Sequence, residues 1–281
     1  MTTTGGAQPA ELRNLPEPVE LHAVLARNRP VNWGHPLPTK AELVAEFGPE
    51  AARLALAALH AKIAIEPAAT AEFVAALSDE STSYKLESRV KSPQSLARKY
   101  SDQLEALDDD EPDDILRYTM LTESPHQLVA ETQRTVGQLC DSGWRPVSAM
   151  HSYTDGSRYK GIHIGFQRPS GETVEVQFHS AASARVKEAT TAPYEIERNA
   201  NSSPSERAAA RALCIELSDS LEPPADVAAL RTVGDLPVEV NTFGDSRRED
   251  PPGTARINTD SAKSTPTAYR SAGRRIDGIG R

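Results

Sequence analysis

Residues 88–100 read SRVKSPQSLARKY. Arg89 precedes Lys91, and Lys91, Ser95 and Lys99 recur at every fourth position. Ser92 followed by Pro93 predicts a helix start, with a capping hydroxyl and then a proline at the first helical position. Such a start offers unpaired backbone N–H groups and the positive end of the helix dipole, both of which favour an anion. Ser95 and Lys99 share one face of that helix. Arg89 adds a planar fork that matches phosphate oxygens. The set suits a polyphosphate. The plain alternative is a basic surface helix balanced by the acidic run that follows.

That run, DDDEPDD, is mostly the composition of a solvated loop, but its last members, Asp113 and Asp114, abut the strand-like ILRYTMLT. A carboxylate at a strand start, near a polyphosphate and a second carboxylate, is what a Mg²⁺ site needs. Side chains alternate faces along a strand. In YKGIHIGF, Lys160, Ile162, Ile164 and Phe166 fall on one face, and Tyr159, Gly161, His163 and Gly165 on the other. In ETVEVQFH, Val174, Val176 and Phe178 oppose Glu175, Gln177 and His179. Each strand thus has an apolar face for a core and a face of functional groups. A wet outer face is common in antiparallel sheets, but it tends to carry Lys, Thr and Glu rather than Tyr, His and Gln.

Arg89-x-Lys91-x-x-x-Ser95-x-x-x-Lys99 resembles the ATP-binding signature of the RelA/SpoT-type nucleotide pyrophosphokinases. DILRYT resembles their metal-binding strand, YKGIH their acceptor-stacking segment and VEVQ their catalytic-glutamate strand, in the family's order and over roughly 84–200. The resemblance implies a nucleotidyltransferase-like mixed sheet flanked by helices. It implies transfer of the β,γ-pyrophosphate of ATP to a ribose 3′-hydroxyl with Mg²⁺. Arg89, Lys91 and Lys99 would clamp the ATP phosphates, assisted by Ser95. Asp114 would bind the metal, and Glu175 would bind metal or activate the hydroxyl. Tyr159 would stack on the acceptor base, with His163, His179 and Arg117 on the acceptor side and Gln177 there too, supporting Glu175.

The sequence departs from the family where Phe178-His179-Ser180 replaces an Ile-Arg-Thr segment, and where Thr119 stands in place of an arginine, with Arg117 nearer. Both changes touch the acceptor side and leave GDP/GTP, ADP/ATP or the tRNA 3′ end as acceptors, GDP/GTP being the first reading. A small alarmone synthetase, a toxin of the same chemistry, a secreted effector and an inactive nucleotide- or RNA-binding module are the readings carried forward. Paired Asp114 and Glu175 favour the enzyme. No His-Asp dipeptide occurs, so the hydrolase domain of the long bifunctional relatives is not expected. The expected partners are ATP and a nucleotide acceptor, with an antitoxin or immunity protein on the toxin reading. Self-association stays open.

The elements that must position these residues follow from the rest of the chain. With 281 residues and a net charge of −9, the chain has room for one large domain or two small ones and is ill suited to general nucleic-acid binding, whose affinity comes from neutralising phosphates. Two cysteines, Cys140 and Cys214, form no disulfide framework. No apolar run reaches membrane-span length and no secretory signal is visible, so a cytoplasmic location is expected. Residues 1–37 predict an irregular leader with one short helix around PVELHAVLARN. Residues 38–222 predict an α+β synthetase domain built on a mixed, mostly antiparallel sheet. It opens with helices, the first capped by Thr39 and Glu42, and Ser170-Gly171 predicts a hairpin between its last two strands. Residues 223–281 predict an extension ending in a disordered tail from about 244.

Overall fold

Residue types dictate most of the helix ends. Thr39 accepts from the Glu42 backbone N–H while Glu42 reaches back to Thr39, the reciprocal box the sequence predicts. Ser92 accepts from the Ser95 N–H at 3.2 Å, with Pro93 at the first helical position. The Leu128 helix ends where Gly143 takes a left-handed φ of 87°. There the Gly143 N–H donates to Cys140 O and the Trp144 N–H to Leu139 O, the 5→2 and 6→1 pair of a glycine-terminated helix.

The computed structural model describes residues 10–107, 112–199 and 201–243. In chain order the elements are α1 (Ala10–Asn14), α2 (Pro18–Leu25), α3 (Lys40–Phe47), α4 (Pro49–Lys62), α5 (Glu66–Ala75), β1 (Ser81–Ser83), α6 (Pro93–Glu105), β2 (Arg117–Thr122), α7 (Leu128–Asp141), β3 (Arg145–His151), β4 (Ile162–Gln167), β5 (Thr173–Ser180), α8 (Ala181–Ala189), α9 (Thr191–Arg198), α10 (Pro204–Asp219), β6 (Thr232–Val233), β7 (Leu236–Pro237) and β8 (Glu239–Val240). The fold is α+β, with helices flanking a six-stranded mixed sheet of order β1-β2-β5-β4-β3-β8. The β2–β5 and β3–β8 pairs are parallel; β1–β2, β5–β4 and β4–β3 are antiparallel. The expected hairpin is present, with the Gly171 N–H donating to Arg168 O between β4 and β5.

The alternation seen in the sequence holds through β4 and β5. Phe166 faces Val174, Ile164 faces Val176 and Ile162 faces Phe178, and all six are fully buried. Tyr118 and Met120 of β2 join that core. Phe73 of α5 stacks on Tyr118 with ring centroids 4.7 Å apart. Trp144 meets Phe166 edge-on. The opposite face of the sheet carries the polar set.

Two expected boundaries are corrected. The segment before 38 is no loose leader. Leu12, Leu21, Leu25, Val31 and Trp33 are buried in the common core, and the Trp33 indole N–H donates to Val90 O at 3.0 Å. Residues 223–243 also pack: Val227, Leu230 and Val233 are buried, and β8 lengthens the sheet. All described residues belong to one compact unit running to Phe243. The tail expected from 244 and residues 108–111 of the acidic run lie outside the described residues. Among the described residues no single helix is long and apolar enough to cross a membrane. Cys140 and Cys214 are free thiols.

Candidate active site

Strand β2 assembles the site. On one edge Val90 bridges Leu116, with the Lys91 N–H donating to Ile115 O and the Arg117 N–H to Arg89 O. On the other edge β5 runs parallel, so Arg117 lies beside Glu175 and Thr119 beside Gln177. Ile115 and Leu116, fully buried, pin this junction. Lys91 thereby arrives next to Asp114, and Lys99 reaches the same carboxylate from the second turn of α6.

Asp114 is held by both lysines: Lys91 contacts one oxygen and Lys99 lies 2.9 Å from the other. Among the described residues its neighbour Asp113 has one ion pair, with Lys99 at 3.6 Å. The Asp114 side chain is 17% exposed against 67% for Asp113, so Asp114 is the more enclosed of the two. Burial pushes its carboxyl up, but the two ammonium groups outweigh that and hold it at about 2. Burial lowers Lys91, only partly offset by Asp114. Lys99 is also penalised by burial, yet Asp114, Asp113 and Glu175 raise it overall. Ser95 sits in the first turn of α6, bonded to the Ser92 cap.

Glu175 occupies the polar face one strand away. His163 Nδ1 lies 2.7 Å from its Oε1, and the Gln177 amide donates to its Oε2 at 3.0 Å. Burial and the Asp114 charge push the Glu175 carboxyl up, but the His163 hydrogen bond and Arg117 bring it below the ordinary range. Glu175 is therefore a fixed anion at neutral pH. Gln177 is buried and spans Glu175 and Lys187, whose Nζ donates to its carbonyl at 2.5 Å. It supports Glu175 rather than presenting itself to an acceptor. The Arg117 guanidinium is half-buried, and among the described residues no hydrogen bond or ion pair to it occurs.

Tyr159 reaches this face from the loop before β4, not from the strand itself. Its hydroxyl lies 2.6 Å from His163 Nε2 and 2.8 Å from His179 Nε2. Gly161 makes this possible, because a Cβ there would stand 2.8 Å from the Tyr159 hydroxyl and 2.9 Å from His179 Cε1. Phe243 packs edge-on against the Tyr159 ring, centroids 5.8 Å apart. Lys160, expected on the apolar strand face, instead lies outside β4 and pairs with Asp219 at 2.7 Å.

Two expected ligands of substrate are corrected. Arg89 is 1% exposed and ion-paired to Glu66. Its remaining donors go to the carbonyls of Pro30, Leu86, Leu25 and Arg29. All five guanidinium N–H groups are thus spent on the protein, and none is left for ATP. His179 is fully buried, with Nδ1 3.0 Å from the Ser183 hydroxyl, and cannot touch an acceptor. Burial first, and then the neighbouring Lys187 charge, push its pKa well down, so its imidazole is neutral.

Lys187 was missed. It rises from α8 to lie 5.9 Å from the centre of the Tyr159 ring. Burial and the Arg117 charge push its ammonium down to about 8. The signal was present: Ser180, Ser183 and Lys187 recur on one face of a helix that starts where β5 ends.

Among the described residues no group of three or more His, Cys, Asp or Glu side chains is placed to hold a metal ion. Asp114 and Glu175 are carboxylates of the kind that Mg²⁺ takes one or two at a time, completing its shell with water and substrate phosphates.

No family model matches the chain, and no curated protein matches it. Among solved structures, it is similar to small alarmone synthetase 1 from Bacillus subtilis bound to its product pppGpp, with 18% identity, 50% of this chain and 72% of that chain covered, and a TM-score of 0.31. It is also similar to the Type VI effector Tas1 in complex with its immunity protein, with 16% identity, 61% of this chain and 96% of that chain covered, and a TM-score of 0.35. At such scores and identities neither likeness extends to substrate, partner or mechanism.

Proposed function

We propose that this chain is an ATP-dependent nucleotide 3′-pyrophosphokinase, with a guanine nucleotide as the leading acceptor. The observation that carries the reading is the convergence of four separate motifs on one sheet face: Lys91 and Lys99 around Asp114, Arg117 beside Glu175, and Tyr159 with His163. In this reaction the acceptor 3′-oxygen forms a bond to the β-phosphorus of ATP, the bond from that phosphorus to the α,β-bridging oxygen breaks, and AMP leaves.

Chemistry of this kind is mainly positioning and charge stabilisation. Lys91 and Lys99 would hold the triphosphate. Arg117, whose guanidinium has no hydrogen bond or ion pair among the described residues, would face the transferring group or the acceptor phosphates. Glu175, kept ionised by His163, would accept the hydrogen bond of the 3′-hydroxyl. The Tyr159 ring would orient the base. Mg²⁺, held by Asp114 and Glu175, would neutralise charge on the phosphates. The toxin reading, with an immunity partner, shares this chemistry and differs in acceptor.

The test is incubation with ATP labelled in the β-phosphate, Mg²⁺ and, separately, GDP, GTP, ADP, ATP or tRNA, followed by chromatography. Label should appear on one acceptor class and AMP should accumulate. Glu175→Gln should lower transfer by about 10²–10⁴-fold while the melting temperature stays close to that of the parent. Transfer at the parental rate in Glu175→Gln, or no labelled product with any acceptor, would overturn the proposal.

A further inference from the structure

Behind Glu175 the structure contains a row of polar groups that charge stabilisation does not use. Ser183 Oγ lies 3.0 Å from His179 Nδ1, His179 Nε2 lies 2.8 Å from the Tyr159 hydroxyl, that hydroxyl lies 2.6 Å from His163 Nε2, and His163 Nδ1 lies 2.7 Å from Glu175. An ionised carboxylate only accepts, so His163 Nδ1 carries the proton. A row that runs toward Glu175 has His163 Nε2 accepting from the Tyr159 hydroxyl. The tyrosine oxygen then accepts from His179 Nε2–H. His179 Nδ1 is left to accept from the Ser183 hydroxyl. Ser183 Oγ in turn accepts from the Ser180 N–H at 3.0 Å. In that arrangement every bond points toward Glu175, with the Ser183 hydroxyl, also 3.2 Å from Ser180 O, turned to His179.

Burial makes the arrangement stiff. His179, Ser183 and Ser180 are buried, and an unmet polar group there would cost free energy. Gly161 leaves the space in which the phenol meets both rings. Burial together with the Glu175 charge also keeps the phenol protonated, well above its ordinary range. A residue kept only to stack on a base would have no need of this hydroxyl.

We propose that Tyr159, His179 and Ser183 are positioning residues: the Tyr159 hydroxyl, oriented by His179 and Ser183, holds His163 in the tautomer that donates to Glu175, and so fixes Glu175 toward the acceptor hydroxyl. The inference rests on the pyrophosphokinase reading, and its test separates the two. Histidine ring ¹⁵N spectra of the full chain, assigned with His163→Gln and His179→Gln, should show His163 protonated at Nδ1 and His179 at Nε2. The reverse pair, or a mixture at either ring, would overturn the relay whether or not transfer is found.

On activity, Tyr159→Phe keeps the ring and removes only the hydroxyl. It should lower kcat by about 10–100-fold, the usual cost of losing a group that orients a ligand-bearing side chain, with KM for the acceptor unchanged. His179→Gln, which keeps an N–H donor near the Nε2 position, should recover more of kcat than His179→Phe. A parental kcat in Tyr159→Phe, or equal losses in the two His179 variants, would overturn the proposal. Stacking alone predicts the first of these.

Discussion

Lys187 carries the sharpest electrostatic consequence at the scale of single residues. Burial and Arg117 take its ammonium from an ordinary 10.5 to about 8. A group whose folded pKa is depressed in this way costs stability while it is charged. The cost is full below about pH 8 and is relieved as pH rises toward the unfolded value. Stability of the parent relative to Lys187→Met should therefore improve between pH 8 and about pH 10, as read from paired urea titrations. A difference flat across that range would mean that Lys187 titrates normally. Arg89 shows the opposite case, a cation fully matched by its surroundings. Arg89→Ala would leave Glu66 buried without its partner, a change that typically costs about 3–5 kcal/mol. The expected outcome is a large loss in chemical denaturation, and an unaltered KM for ATP in whatever fraction folds.

At the scale of elements, the site depends on how β2, β4 and β5 line up. Parallel pairing of β2 with β5 sets Arg117 beside Glu175, and antiparallel pairing of β5 with β4 sets His163 beside Gln177. A register slip of one residue would turn each functional set into the core. The loop into β4 is the vulnerable joint, because Gly161 lies against both Tyr159 and His179. Gly161→Ala should push the phenol off the two imidazoles at an overpacking cost of about 1–3 kcal/mol. Turnover should fall further than that loss of stability explains, in assays run well below the melting temperature. Parental turnover with a lowered melting temperature would show that the Tyr159 hydroxyl is not needed where it sits.

Over the whole molecule, both flanks of the central sheet and its helices are structural. A chain ending at Phe243 should keep its fold and its activity. One ending at 222 loses Val227, Leu230 and Val233, buried side chains each worth about 1.5–3 kcal/mol. It should melt markedly lower or fail to accumulate as soluble protein. Deleting residues 1–38 removes Leu12, Leu21, Leu25, Val31 and Trp33 from the same core, along with three of the carbonyls that hold Arg89. Soluble, cooperatively melting protein after that deletion would contradict the packing described here.

What the sequence determined by itself was local. Period-two alternation separated core from polar face in β4 and β5. Ser92-Pro93, the Thr39–Glu42 box and Gly143 marked helix ends, because a cap is satisfied within a few residues of where it is made. Asp114, Lys91, Lys99 and Glu175 were grouped as a set by the family resemblance, and the structure puts both lysines on Asp114. Tertiary structure decided everything that depended on distant partners. Arg89 looks like its neighbours Lys91 and Lys99 in sequence, but carbonyls around residues 25–30 and the Glu66 carboxylate claim its donors. His179 shares the alternating face with Glu175, yet α8 folds over it and turns it from a ligand of substrate into a buried link. The flanks looked irregular because their apolar residues are too sparse to show a period. They are ordered because the hydrophobic effect depends on total area buried, wherever in the chain that area comes from.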